Sequence, residues 1–198
     1  MDDNELEALE RELPGLSKLS RFARSLDGVP WFANLGEPLT PGGEAAARTF
    51  ADGLGFPEAD VAILVDWEDA AAAAEHLDWN SPAWEAEESL RADVTARAQD
   101  ALSEEALSIA MAMIADAVAE PAKAAMEEAA SLWDVEDDAS QRLAVGAAVQ
   151  AAHQAALALV AAVDPAFEAE DHPFAAKFRL FEFGRWPVGV AGRSFNLF

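Results

Sequence analysis

Alanine occupies 47 of the 198 positions, and this more than anything else restricts what the chain can fold into. Alanine has the highest intrinsic helix propensity, and its small side chain lets two helices approach closely. The expected class is mainly α, a compact bundle of about six to seven helices. Helix starts are well punctuated. Thr40-Pro41, Ser81-Pro82 and Asp164-Pro165 each set a capping oxygen before a proline at the first helical position. Ser103 precedes Glu104 and Glu105, which places acids at the positive end of a helix dipole. These cues predict helices over 42–54, 57–77, 82–101, 104–131 and 137–163. Two shorter helices precede them, from Asp3 to Leu13 and from Leu16 to Leu26. Pro121 removes a backbone donor and is expected to kink or divide the helix over 104–131.

The C-terminus differs in character. Seven of the eleven phenylalanines lie between Phe167 and Phe198, together with Lys177, Arg179, Arg185 and Arg193. Lys177 to Phe183 reads KFRLFEF and Ser194 to Phe198 reads SFNLF, partly alternating as strands require. A C-terminal antiparallel β-hairpin or three-stranded sheet is predicted, with Trp186 to Val190 as its middle or an edge; Pro187 favours the edge. Such a sheet is marginal alone and must pack on helices. The chain is therefore read as a single domain, 1–198, with a helical body over 1–176 covered by an aromatic β tail over 177–198.

Charge is as uneven as composition. Residues 27–176 hold thirty acids against five bases, whereas residues 177–198 hold one acid and four bases. With a net charge of −24, the chain repels nucleic-acid phosphates, so a direct DNA or RNA partner is not expected. Met1 to Glu12 is acidic and lacks the apolar core of a signal peptide. The long apolar stretch from Leu143 to Val163 carries Gln150, His153 and Gln154, and reads as a buried helix rather than a membrane span. A cytoplasmic location without membrane attachment is the expectation.

Several chemistries are excluded. Without cysteine there are no disulfides, thiolate metal sites or thiol nucleophiles on this chain, and without tyrosine no phenol for proton transfer. No phosphate-binding loop, dinucleotide fingerprint or nucleophile elbow occurs. His153 shares a helical face with Val149, Ala156 and Val160 and reads as a hydrogen-bonded core residue.

The leading expectation is an acidic protein that works through protein–protein interaction, with no catalysis of its own and no cofactor. Its partner would be another protein, with a basic surface as the charge-complementary case. The contact surfaces would be the acidic helices and an aromatic loop at Trp31 and Phe32; the competing reading of that pair is as anchors pinning the loop to the core. The alternative is a divalent-metal-dependent hydrolase. Asp66-x-x-Asp69, His76 and Glu85-x-x-Glu88 supply carboxylates and an imidazole at helical spacing, the donor types that hold such ions.

Overall fold

A computed structural model describes residues 14–78 and 80–198 of the chain. The helix expected over Asp3 to Leu13 lies outside the described residues. The protein is mainly helical, with a small three-stranded sheet built largely from its C-terminus.

Helix α1 (Pro14–Ser25) runs into a 3-10 turn at Leu26–Gly28, and a loop then leads to α2 (Pro41–Gly53). Strand β1 (Asp60–Ile63) is followed by α3 (Trp67–Glu75), α4 (Pro82–Ala101), α5 (Glu104–Leu132) and α6 (Asp138–Ala161). The chain closes with α7 (Pro173–Glu182), β2 (Pro187–Ala191) and β3 (Ser194–Leu197).

The predicted caps at Thr40, Ser81 and Ser103 all form. Their side-chain oxygens accept from Gly43 N at 3.1 Å, Trp84 N at 3.2 Å and Ala106 N at 3.2 Å. Asp164-Pro165 instead makes a turn, in which Asp164 Oδ1 accepts from Ala166 N at 2.9 Å. The helix it was expected to open begins at Pro173, where His172 Nδ1 accepts from Phe174 N at 3.1 Å. Burial holds the His172 imidazole below its ordinary value of 6.5. Below about pH 6.5 the unfolded chain takes a proton that the folded chain resists, so the stability this cap gives is complete above that pH and declines as pH falls. His172→Asn keeps an acceptor at the cap and is expected to remove that decline. Urea midpoints of both proteins at about pH 7.5 and about pH 5.5 check this.

Helix α6 is central: it packs against α1, α4, α5 and α7. Ala144, Ala148, Ala151, Ala152, Ala155 and Ala156 are buried along it, which is how the alanine content becomes close helix contact. It is also the one helix among the described residues long and apolar enough to cross a membrane, and 56% of its most apolar window is buried inside the fold. Pro121 lies within α5, which runs on as a helix to Leu132 rather than dividing there.

Two segments differ from the sequence expectation. Residues 57–77, read as one helix, contain β1 and then α3. The run Val61-Ala-Ile-Leu-Val65 suits a half-buried strand, and Asp66 ends the extended segment by capping α3. Of residues 177–183, read as a strand, 177–182 belong to α7 and Phe183 caps its C-terminus. Phe174, Phe178 and Phe181 recur at helical spacing and are all buried, and this face outweighs the partial alternation of KFRLFEF.

These changes alter the sheet. Its order is β1-β3-β2, with β1 parallel and β2 antiparallel to β3, so it is mixed rather than antiparallel. Ser194–Leu197 is the central strand, and the Pro187-containing strand lies at an edge, where a missing N–H is tolerated. Beyond the regular ladder, Trp186 N donates to Phe198 O at 2.6 Å and Phe198 N to Trp186 O at 2.9 Å.

The aromatic residues form two groups. Trp31 and Phe32 pack on Phe178 and Phe181 with ring centroids 5.7–5.9 Å apart. Trp67, Trp133 and Trp186 gather near Phe198 at the sheet, with Trp67 and Trp133 at 5.8 and 5.3 Å from its ring. Arg185 is buried between α7 and the sheet and donates to the carbonyls of Asn34 and Pro38, which ties the loop before α2 to the C-terminal segment.

Candidate ligand-binding cavity

Where α2, α3, α4, α6, α7 and β2 meet, they leave a cavity of about 320 Å³. This is the lower end of the range of roughly 300–1,000 Å³ in which small-ligand sites fall. Graded exposure along its wall gives the depth. Phe50, Ala83, Lys177, Trp186 and Val188 are buried, whereas Asp78, Arg142, Leu143 and Gly146 are exposed and mark the mouth.

Three devices shape the wall. In β2 the register slips between Pro187 and Gly189, so Val188 is the additional residue of a bulge. A bulge bends its strand and re-aims side chains, and here Pro187, Val188, Gly189 and Val190 all line the cavity. Gly189 has φ +147°, a conformation that favours glycine, and a Cβ there would also push the tip of Leu77 aside, its Cδ2 lying 2.8 Å away. The third device is Gly146, inside α6. A Cβ at Gly146 would meet nothing within 4 Å, so the position is open towards the cavity mouth. A glycine in a helix interior costs about 0.5–1 kcal/mol relative to alanine. Gly146→Ala is accordingly expected to raise stability by about that amount in urea unfolding.

The polar centre of the cavity is an ion pair. Lys177 Nζ donates to Glu87 Oε1 at 2.6 Å, and the two side chains are only 8% and 14% exposed. The ammonium also lies 5.5 Å from the Phe50 ring centroid. Gln154 Nε2 donates to the same Glu87 oxygen at 2.7 Å. A carboxylate only accepts, which fixes the orientation of that amide. Gln154 Oε1 is then buried without a partner among the described residues. Burial by itself would raise the Glu87 carboxyl. The Lys177 charge, the hydrogen bonds from Lys177 and Gln154 and the Arg91 charge together outweigh it and hold the group below its ordinary value. The folded state therefore favours the carboxylate. The pair's contribution to stability is intact above about pH 4.5 and is lost as pH falls through the lower folded value. A Glu87→Gln, Lys177→Met variant is expected to lose less stability than wild type below that pH, measured by urea midpoints along an acid series.

The residues singled out from sequence go elsewhere. Asp66 Oδ1 caps α3 by accepting from Asp69 N at 2.9 Å, and both acids are exposed. His76 ends α3, with Nδ1 hydrogen-bonded to Ala72 O at 2.7 Å. Glu85 is exposed in the first turn of α4, and Glu88 pairs with Arg91 on the same helix. Among the described residues no three histidine, aspartate or glutamate side chains come together as they would around an ion. The proposed ligand set therefore does not come together among the described residues, and the strand at Asp60–Ile63 makes Asp66 a cap instead of a member of a longer helical face. Trp31 and Phe32 are 3% and 2% exposed and serve as core anchors, not as an outward aromatic surface. His153 Nε2 is hydrogen-bonded to Met111 O at 2.9 Å.

Sequence reasoning missed Glu87 and Lys177 as a pair. Lys177 is one of only three lysines and stands among phenylalanines, and that was the available signal. Glu87 is one acid in a run of three within four positions, and only the fold selects it.

Comparison of the chain with protein-family models, curated proteins and solved structures gives no match, so the site's chemistry rests on its own geometry.

Proposed function

We propose that the protein binds a small, largely apolar molecule in the cavity beside Glu87 and Lys177. The observation that carries this reading is the cavity itself: apolar walls converge on one desolvated ion pair, the usual composition of a small-ligand site. Gly146 and the β2 bulge bear on it, since the glycine brings no side chain to the mouth and the bulge sets Val188 on the apolar wall. The protein–protein interaction expected from sequence rests on charge, and the burial of Trp31 and Phe32 removes its aromatic surface.

Heat unfolding of the full chain with small ring compounds such as toluene and cyclohexanecarboxamide tests the proposal. A ligand present at about a hundredfold its Kd adds about 2.7 kcal/mol, or roughly 5–10 °C in Tm for a chain of this size. Wild type should gain this stabilisation, and Gly146→Phe, which puts a ring into the open space, should not. No rise in wild type, or an equal rise in both proteins, contradicts the reading.

A further inference from the structure

We infer that the Glu87–Lys177 pair selects a neutral head group that donates one hydrogen bond and accepts another, with a primary carboxamide as the closest match. This inference rests on the cavity being a ligand site. Three observations carry it.

The first is unused bonding capacity. Among the described residues Lys177 Nζ has a single acceptor, Glu87 Oε1, although an ammonium carries three donors. Glu87 Oε1 takes the bonds from both Lys177 and Gln154, and Oε2 has no partner among the described residues. Both residues line the cavity. A free donor and a free acceptor therefore stand side by side on its wall.

The second is charge. The pair is neutral as a unit. An anion drawn to Lys177 would meet the Glu87 carboxylate, which lies 2.6 Å from the same nitrogen, and a cation drawn to Glu87 would meet the ammonium. In a site this far buried either repulsion is screened much less than on the surface. Arg91 also acts on Glu87, but the chain as a whole carries −24, so the surroundings do not draw an anion to the pair. At the mouth Asp78 and Arg142 are of opposite sign, so entry favours neither ion. A neutral amide places its carbonyl oxygen towards Nζ and its N–H towards Oε2 without bringing net charge.

The third is the remaining surface. Phe50, Trp84, Trp186, Val188 and Val190 line the same cavity and offer ring and methyl contacts to the body of the ligand. Recognition is thereby divided between a head that reads hydrogen-bond pattern and a body that reads only size and apolarity.

The experiment uses four compounds that share one ring: cyclohexanecarboxamide, cyclohexanecarboxylate, cyclohexylmethylammonium and methylcyclohexane. Each is titrated against the full chain, with binding read from tryptophan fluorescence and calorimetry. The carboxamide should bind at least about tenfold tighter than the other three, and that preference should disappear in Glu87→Gln, Lys177→Met. Equal binding of methylcyclohexane would overturn the head-group inference and leave the cavity reading standing. Tighter binding of the carboxylate or the ammonium would overturn it in favour of a charged ligand. If none of the four binds, the cavity reading itself fails. The comparison among compounds on wild type stands whether or not the double variant folds.

Discussion

Ending the chain after Trp186 is expected to abolish folding or drive aggregation. The cut removes β2 and β3, and with them the buried side chains of Val188, Val190, Phe195, Leu197 and Phe198. Burial of one such side chain is worth about 1.5–3 kcal/mol, so the five together approach roughly 8–15 kcal/mol. Native proteins hold a margin of about 5–15 kcal/mol in total. The loss is not confined to the tail. Strand β1 pairs only with β3 among the described residues, so Asp60–Ile63 would lose its ladder, and the Phe50 ring, 5.4 Å from Phe195, would face solvent. Phe195→Ala is the graded form of the same test, at about 3–5 kcal/mol for a large side chain removed from a closed core. Circular dichroism melts and light scattering on both variants check it. A shortened chain that stays monomeric and melts with wild type would refute the sealing role of the sheet.

The second large effect concerns the ion pair. Lys177→Met should destabilise the protein by about 3 kcal/mol, because it leaves the Glu87 carboxylate buried without its cation. That corresponds to a fall in Tm of roughly 6–12 °C for a chain of this length. Adding Glu87→Leu to Lys177→Met should restore most of the loss, since an apolar pair of similar volume carries no desolvation cost. The recovery is the informative quantity: it measures the coupling of two residues 90 positions apart. Two single losses that simply add in the double variant would show that the pair has no energetic identity.

How far the fold was legible follows from the kind of signal each segment carries. Helices α4, α5 and α6 were readable because a serine or an acid ahead of a long run announces each start and the runs exceed the length of any strand. β1 was not, because four or five apolar residues fit a strand or a helical turn equally well, and the partner that decides lies more than 130 positions away at Ser194–Leu197. The same limit hid α7, where Phe181 and Phe183 alternate as in a strand while Phe174, Phe178 and Phe181 keep helical spacing. The site was less legible than the fold. Carboxylates three apart on one helix are expected by chance in a chain with 37 acids, and Asp66 proves to be a cap, Asp69 and Glu85 exposed first-turn acids and Glu88 half of a local ion pair. The cavity depends on tertiary features: a bulge in an edge strand, a glycine opposite an empty volume, and a lysine brought to a glutamate from another helix.

The proposed function requires that the space bounded by Glu87, Lys177, Gly146 and Val188 accept a ligand. Amide chemical-shift mapping during a titration of the full chain with cyclohexanecarboxamide tests it most directly. Saturable shifts gathered on Gly146, Lys177, Val188 and Val190 are expected, with the rest of the protein quiet. Shifts that fail to saturate, or that collect on exposed apolar residues such as Ile109, Met113 and Leu132 of α5, would contradict it.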